Sequence, residues 1–455
     1  MIKVKNKSIS NVEKNLMTEG SIWKTILLFS IPLIFGNLLQ QTYNTIDSMI
    51  VGNFVGSNAL AAVGSSTALI NLLISFAQGI AVGCGIIVSQ AMGSLNKKDV
   101  KVSVHTSIAI SIVLGLLISL LGYIFAPWLL EKMDTPKEVM GESIKYLRIF
   151  SLGLVFNIIY NMEAGILNAV GNSKRSLLYL AIASFINVIL DFLFIKSFGM
   201  GVRGAAIATN ISQGISALLA LLFLMRVKEI YKVRLLKIKI HKDMAVRIIK
   251  VGIPTAIQNT VISISNAIMQ SSVNIFGPLP MAGFGAFMKV DGFNILPVLS
   301  LSMAITTFAG QNYGAGKIDR VKKGMLTTLI MSIVYTIITG SLLYKFAPNT
   351  IGLFTKETKV IEAGVLATRF FCPFYFLLAI MHSLAGSVRA TGKTVPPMII
   401  LLLSLCLFRM LAVKFFIPYH NTIENVYMLY PISWVIGAVL MVSYTFKANW
   451  IKKDK

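Results

Sequence analysis

Long apolar runs dominate this sequence, and several of them contain no charged residue. Residues 108–125 and 326–343 are two examples. A transmembrane helix needs about 20 mostly apolar residues. In lipid, a single segment satisfies its backbone hydrogen bonds only as a helix. The alternating segments of about ten residues that build a membrane β-barrel are absent from the sequence. The chain is therefore predicted to be an all-α integral membrane protein.

Composition agrees with that class, because 55% of the 455 residues are hydrophobic and 13% are charged, against about 25% charged in soluble domains. The apolar runs predict twelve transmembrane helices. We place them at 23–51, 60–92, 103–126, 142–169, 176–196, 203–226, 246–275, 282–312, 324–347, 361–388, 395–417 and 424–446.

The net charge of +24 is explained by membrane topology rather than by binding to nucleic acid. With both termini inside, the tails and inner loops carry 29 of the 42 Lys and Arg residues, as the positive-inside rule requires. The longest inner connection, 226–250, holds nine of them. It either lies along the anionic inner leaflet or is a solvated linker, and the sequence leaves both open.

Several classes of protein are excluded by what the sequence lacks. The three cysteines lie within or beside apolar runs and form no disulfide framework. The N-terminal segment has no apolar core of a cleaved signal peptide. The four histidines are scattered, no zinc or nucleophile spacing occurs, and there is no phosphate-binding loop. We expect no enzyme activity and no cofactor other than a coupling ion.

An internal repeat organises the chain. At an offset of 221 residues, matching pairs recur over about 140 residues. The pairs include Gln90 and Gln311, Pro127 and Pro348, Arg148 and Arg369, Phe150 and Phe371, and Gly171 and Gly392; an offset of 222 pairs Pro32 with Pro254 and Asn37 with Asn259. Since six helices per half is an even number, both halves insert in the same orientation. The repeat predicts two parallel six-helix lobes related by a pseudo-two-fold axis.

The predicted domain organisation follows from the repeat. It comprises an inner N-terminal tail (1–22), an N-lobe (23–226), a basic linker (227–245), a C-lobe (246–446) and an inner C-terminal tail (447–455). Two parallel lobes suit a transporter that works by alternating access.

Ionisable residues at membrane depth cost about 2.5–3.5 kcal/mol each on insertion scales, so the few present are candidates for function. Asp47 ends a polar stripe on helix 1 that includes Asn37, Gln40 and Asn44, spaced so that all share one helical face. At the offset of 222, Asn44 matches Asn266, but Asp47 matches Met269. The sequence therefore places the ion chemistry in the first lobe.

Helices 5 and 6 carry further polar pairs on single faces. These are Asn187 with Asp191 and Thr209 with Gln213. Carboxylate, amide and hydroxyl oxygens are hard ligands that suit Na⁺ or a proton rather than a soft metal. Other polar residues are candidates for a substrate cavity. They are Gln40, Asn44, Asn157, Asn161, Glu163 and Asp291.

For three residues the sequence leaves two possible roles open. Glu163 either reaches the cavity or pairs with Arg148. Asp291 either meets a cationic substrate or pairs with an arginine such as Arg369 or Arg409. Pro32, inside helix 1, either makes a static bend or a bend that changes when Asp47 binds a proton.

The sequence resembles the multidrug and toxic compound extrusion (MATE) family over nearly its whole length. The motifs that carry the resemblance are Ile31-Pro32 leading to Asp47, 90–93 (QAMG) with 311–314 (QNYG), and 165–171 (GILNAVG) with 386–392 (GSVRATG). The resemblance implies an antiporter that exports amphipathic, often cationic compounds in exchange for Na⁺ or H⁺. It assigns the cation site to Asp47, Asn187, Asp191 and Thr209.

A second branch of the family places carboxylates on helices 7 and 10, where this chain has Gln258, Asn266 and His382. The sequence-based hypothesis is therefore a secondary active multidrug exporter of a bacterial plasma membrane, monomeric and independent of nucleic acid. Its partners are small drugs or organic cations and membrane lipids. A flippase for lipid-linked saccharides is the alternative. Such a protein would favour a basic cleft, and this sequence has only five basic residues within its predicted helices.

Overall fold

The computed structural model describes residues 17–133 and 135–451, and these residues form helices, turns and loops without a β-strand. Twelve long helices follow one another along the chain. They are α1 (Ile22–Phe54), α2 (Ser57–Gly93), α3 (Lys97–Lys132), α4 (Lys137–Ala169), α5 (Ser173–Ser197), α6 (Val202–Arg226), α7 (Lys242–Asn274), α8 (Pro278–Gly314), α9 (Ile318–Lys345), α10 (Thr358–Arg389), α11 (Val395–Tyr419) and α12 (Ile423–Lys447).

The prediction of an all-α membrane protein with twelve helices is confirmed. Within the described residues, eleven of these helices are long and apolar enough to cross a membrane, judged by length and composition alone. The twelfth, α7, has 33 residues but begins with a charged segment. Five helices, α3, α4, α7, α8 and α9, begin a turn or more before their predicted first residues, and α3 also ends later than predicted. A five-residue helix, Ala347–Ile351, follows α9.

Three of the long helices change their hydrogen-bonding pattern partway. The last part of α5, Phe192–Ser197, is a π-helix that begins directly after Asp191. A second π segment, Leu403–Leu407, lies in α11. In α10 a 3₁₀ turn, Cys372–Phe374, contains Pro373, which lacks the N–H that a continuous α-helix requires. Single-turn π segments are frequent at functional sites.

The internal repeat is visible in the backbone. Gly56 and Gly277, which stand 221 residues apart before α2 and α8, have φ angles of 112° and 97°. Gly171 and Gly392, at the same offset after α4 and α10, have φ angles of 87° and 89°. Because glycine adopts these left-handed conformations at no steric cost, the two halves build equivalent turns from equivalent residues.

Packing divides the chain into two compact units. Within the described residues, unit 1 contains 17, 31–133 and 135–256, and unit 2 contains 18–30 together with 257–451. The chain therefore passes between units near Pro32 in α1 and near Pro254 in α7, two positions that the repeat pairs. Both helices run through their proline without interruption.

In unit 1, the first part of α7 packs against α2 through very small residues. A Cβ atom added at Gly83 would meet the Cα atom of Gly252, and one added at Gly79 would meet the Cα atom of Ala256. Small residues allow helix backbones to approach closely in membranes, where the gain comes from van der Waals contact. The α2–α7 contact therefore depends on the missing side chains.

The basic connection between α6 and α7 folds back onto unit 1. Tyr231 and Val233 are buried in its core. The imidazole of His105 on α3 lies 2.7 Å from the carbonyl oxygen of Lys101 through Nδ1 and accepts the backbone N–H of Arg234 through Nε2 at 3.0 Å. This part of the connection is thus packed, whereas the side chain of Leu236, a few residues further on, is fully exposed.

Unit 2 has an aromatic core. Rings on α8, α10 and α12 contact one another, among them Phe287 with Phe371 at 4.7 Å and Phe371 with Tyr430 at 4.7 Å between centroids. The residues just before α1 are held in the same unit, because Lys317 donates to the carbonyl of Thr18 at 3.0 Å and Arg320 to that of Gly20 at 3.0 Å.

Candidate functional site

Two carboxyl groups, predicted from separate helices, come together in unit 1. Asp47 on α1 and Asp191 on α5 interact directly through their side chains. Asp191 is fully buried. Asp47 Oδ1 and both oxygens of Asp191 are enclosed and receive no hydrogen bond from the described residues. Two ionised carboxylates repel each other at this range, so the pair is stabilised by a proton or a cation.

The other predicted members of the cation site have different surroundings. Asn187 lies one turn from Asp191 on α5 and is 2% exposed. Its amide oxygen and nitrogen are buried without a partner among the described residues. Thr209 on α6 is half-buried and donates to the carbonyl of Ala205 at 3.0 Å. The lone pairs of its hydroxyl oxygen remain able to face a cation.

Two tyrosines beside the acidic pair were not predicted. Tyr43 is buried, lies within electrostatic range of Asp47, and accepts from the amide of Gln213 at 3.4 Å. Tyr146 on α4 is also buried and lies within electrostatic range of both Asp47 and Asp191. The spacing of Tyr43 four residues before Asp47 was a usable signal, whereas the sequence around Tyr146 contains none.

The polar stripe of α1 is not uniformly buried. Gln40 is half-buried and its side chain interacts with Tyr43. Asn37 is half-buried as well, whereas Asn44 is exposed. The structure therefore connects Gln40 to the acidic pair through Tyr43 and leaves Asn44 outside this group.

The predicted cavity residues of α4 form two separate arrangements. Asn161 donates from Nδ2 to both the carbonyl oxygen and Oδ1 of Asn157, at 2.8 and 2.9 Å. Glu163 is fully buried, and neither carboxyl oxygen has a hydrogen-bond partner in the described part of the chain.

Pairing of Glu163 with Arg148 was one of the two sequence interpretations, and it is wrong. Both residues lie on the continuous helix α4, where fifteen residues correspond to about 22 Å. The Arg148 guanidinium instead lies over the ring of Tyr123, 5.2 Å from its centroid.

Asp291 lies in unit 2, and its hydrogen-bond partner is a tyrosine. Tyr375 donates its hydroxyl proton to Asp291 Oδ1 at 2.6 Å. The interpretation that Asp291 pairs with an arginine is wrong, because Arg369 lies over Tyr344 and Arg409 lies over Tyr430. Neither arginine makes an ion pair with the described residues.

The side chains of this group in unit 1 are of the kind that bind a small hard cation. Within residues 17–133 and 135–451, no three His, Cys, Asp or Glu side chains gather as a metal cluster. Its two carboxylates, amide and hydroxyl are oxygen groups of the kind that bind Na⁺, and a carboxylate also binds a proton. The orphaned oxygens of Asp47, Asn187 and Asp191 fit such an ion.

Comparison with known proteins agrees with the repeat. The model of the MatE family matches the chain twice, over residues 32–193 and 254–413. The two matches cover corresponding parts of the two halves, as the offset of 221–222 residues requires.

Named relatives cover nearly the whole chain. The probable multidrug resistance protein YoeA of Bacillus subtilis is 28% identical over 446 residues, which is 96% of each chain. The probable multidrug resistance protein YpnP of the same organism is 30% identical over 86% of this chain and 88% of its own length.

Solved structures show the same fold. A MOP superfamily transporter from Pyrococcus furiosus superposes with a TM-score of 0.87 at 22% identity, over 95% of this chain and 98% of that one. A multidrug resistance MATE family transporter solved in an outward-facing conformation gives a TM-score of 0.87 at 23% identity, over 94% and 96% of the two chains.

Proposed function

The chain belongs to the MatE family, whose fold and relatives are those of transporters rather than enzymes, and from this premise we propose that it is a secondary active multidrug exporter. It exchanges amphipathic, often cationic compounds for Na⁺ or H⁺ across a bacterial plasma membrane. Both termini lie on the cytoplasmic side, in keeping with the positions of Lys and Arg.

The pair formed by Asp47, which is half-buried, and Asp191, which is fully buried, carries this proposal. A carboxylate in a membrane-spanning helix is expensive, and an amide would satisfy a purely structural role at lower cost. Here two carboxyl groups meet, and their enclosed oxygens lack donors within the described residues. Such a pair suits the reversible binding of one small cation.

The mechanism couples that cation to substrate release. A Na⁺ ion or proton entering from outside binds between Asp47 and Asp191, with Asn187 and Thr209 as further ligands. Neutralising the pair weakens its attraction for a cationic substrate and favours a bend of α1 at Pro32. The membrane potential contributes about 2.3 kcal/mol per charge per 100 mV, which drives release to the outside.

Replacing one carboxylate by its isosteric amide tests the proposal. The full-length protein and its Asp47→Asn variant are reconstituted in liposomes, and efflux of a cationic dye is followed under imposed Na⁺ and pH gradients separately. We expect wild-type efflux under one gradient and a loss of at least about tenfold in the variant, since one charge-assisted interaction is worth about 1.5–3 kcal/mol.

A polar residue of the same helix outside the acidic pair provides the control. Thr42 is exposed and donates to the carbonyl of Leu38 in its own helix at 2.9 Å, so Thr42→Ala is expected to retain most of the efflux. Full gradient-driven efflux by Asp47→Asn, at wild-type abundance in the membrane, would refute the role of the acidic pair. Absence of dye transport by the wild-type protein under either gradient would refute the exporter itself.

A further inference from the structure

The connection between α6 and α7 contains a short segment, residues 234–240, that is held at both ends. The backbone N–H of Arg234 donates to Nε2 of His105 at 3.0 Å, and that of His241 donates to Oγ1 of Thr106 at 3.4 Å. Because His105 and Thr106 are adjacent residues of α3, both ends of the segment lie at one level of that helix. The segment is therefore a fixed loop rather than a free linker.

Three helices indicate the depth of this loop in the membrane. His105 lies just inside the apolar run predicted for α3, 103–126. Directly before the loop, the N–H of Val233 donates to the carbonyl of Leu224, in the last turn of α6, at 2.9 Å. Directly after it, the apolar run of α7 begins at Val246, one turn into the helix. The loop thus lies at the level where the apolar parts of three helices begin or end.

Large aliphatic side chains of the loop are bare although its backbone is fixed. Leu235 is 52% exposed, Leu236 is fully exposed, and Ile240 is 51% exposed. Ile238, between them, packs instead against the core of unit 1. Removing apolar surface from water is favourable, and apolar side chains left bare on a fixed surface with a polar rim mark a site of interaction. At the level of the helix ends, lipid is the apolar surrounding within reach.

Basic side chains flank these aliphatic ones. Residues 227–241 contain five Lys or Arg and one Glu. Arg234, Lys237 and Lys239 are exposed, and none of the three makes an ion pair with the described residues. Aliphatic side chains bordered by lysine and arginine are the features that bind a segment to an anionic membrane surface. Charge and apolar surface therefore indicate the same partner.

We propose that residues 234–240 form a membrane anchor in the headgroup region of the cytoplasmic leaflet. Leu235, Leu236 and Ile240 insert between the acyl chains, and the exposed basic side chains bind the phosphates of anionic phospholipids. The two hydrogen bonds to α3 satisfy backbone donors, which lipid could not do. These observations favour the leaflet over the solvated linker, which the sequence left open. The inference rests on the proposed orientation for the identity of the leaflet, and not on the proposed export activity.

Quenching of a fluorophore in the loop tests the insertion. Leu236→Cys is labelled in the full-length protein, whose native cysteines are buried, and wild-type protein treated with the same reagent gives the background. The protein is placed in nanodiscs of equal parts phosphatidylglycerol and phosphatidylcholine, which leave both membrane faces accessible. We expect doxyl-labelled phospholipid to quench the label and aqueous iodide to quench it little. A label at Lys97→Cys, exposed at the start of α3 about 12 Å before His105, is expected to show the opposite.

The choice of headgroup is tested with the same label at position 236. Phosphatidylcholine nanodiscs receive small amounts of doxyl-labelled phosphatidylglycerol or doxyl-labelled phosphatidylcholine. We expect the anionic lipid to quench with an apparent affinity at least about fivefold higher, as the attraction of one basic residue to an anionic surface implies. Lys237→Gln combined with Lys239→Gln is expected to reduce that preference by about fivefold or more. The matched control on α3, Lys97→Gln combined with Lys98→Gln, is expected to leave it unchanged.

Three results would overturn the anchor. Quenching of the label at position 236 by iodide, to the extent seen at position 97, would show a solvated linker. A label that neither quencher reaches would show that protein, from this chain or from a second copy, covers the leucines. Equal quenching by the two doxyl lipids would show that no anionic headgroup is selected. None of these readouts requires transport, so failure of the anchor and failure of the exporter are distinguishable.

Discussion

Leu95 holds an unusual backbone conformation in the turn after α2. Its φ angle is 53°, and the residue that the repeat places at the same point of the second half is Gly316, with φ of 74°. A left-handed conformation costs a residue with a Cβ atom roughly 1–2 kcal/mol. We expect Leu95→Gly to raise the free energy of unfolding by about 1 kcal/mol, measured as a higher melting temperature in detergent.

The reverse substitution in the second half is the matched control. No heavy atom lies within 4 Å of a Cβ atom added at Gly316, so Gly316→Leu is expected to act mainly through the backbone conformation. It is expected to lower the melting temperature. Equal melting temperatures for Leu95→Gly, Gly316→Leu and wild type would show that these turns relax without strain.

At the scale of single residues, the sequence identified the acids but not all of their neighbours. Periodicity located Asp47 and Asp191 because a charge within an apolar run is conspicuous. Tyr146 was missed because it reaches the pair from α4, and no pattern within one helix reports a contact between helices. Tyr375 was missed for the same reason, although it is the hydrogen-bond partner of Asp291.

Among the helices, the contact of α2 with α7 in unit 1 depends on glycine. A Cβ atom at position 83 would collide with the backbone of Gly252, and a helix backbone cannot yield without moving the whole segment. We expect Gly83→Ala to destabilise the protein by about 1–3 kcal/mol through overpacking, measured by thermal unfolding in detergent.

Gly64 lies on the same helix and serves as the control. A Cβ atom there meets nothing within 4 Å. Because alanine favours a helix over glycine by up to about 1 kcal/mol, Gly64→Ala is expected to be neutral or stabilising. Similar losses in both variants would mean that the effect of Gly83→Ala does not come from the α2–α7 contact.

The connection after α6 gives a second prediction at the scale of elements. The carbonyl of Lys101 can only accept and the N–H of Arg234 can only donate, so His105 must donate from Nδ1 and accept at Nε2. In His105→Ala that acceptor is lost. We expect hydrogen exchange of the Arg234 amide to accelerate about fivefold, as one hydrogen bond of about 1 kcal/mol implies.

Neighbouring groups make this measurement specific. The amide of Val233 donates to the carbonyl of Leu224 at 2.9 Å, so its exchange is expected to change less than that of Arg234. His105→Gln supplies a side-chain oxygen at similar reach and is expected to restore part of the protection. Unchanged hydrogen exchange at the Arg234 amide in His105→Ala would show that His105 does not hold this connection in place.

Over the whole molecule, the fold was more predictable than the contacts. Length and hydropathy sufficed for the twelve helices, because lipid permits little else, and the constant offset sufficed for the duplication. The sequence did not reveal that the first turns of α1 and α7 pack in the unit opposite to the rest of their helix. It also did not reveal the π segments in α5 and α11, which contain no proline, whereas the 3₁₀ turn in α10 contains Pro373.

The duplication leads to a final prediction about which of the two units couples cation binding to efflux. The position of Asp47 is occupied in unit 2 by Met269, which is fully buried. At the offset of 221, Asp191 and Asn187 correspond to Ala412 and Phe408, so unit 2 offers neither the second carboxylate nor the amide. We expect Met269→Asp to fail to rescue dye efflux in the Asp47→Asn variant, measured in proteoliposomes under the gradient that drives the wild type.

A Met269→Asn change in the same background controls for burying a polar group in an apolar site, which itself costs about 1–3 kcal/mol. Both double variants are compared at equal abundance in the membrane. If Met269→Asp restored gradient-driven efflux while Met269→Asn did not, a single carboxylate in either unit would suffice for coupling. Failure of both is the expected result, because the proposed cation site requires two acids, and in the described residues the two that come together lie on α1 and α5 of unit 1.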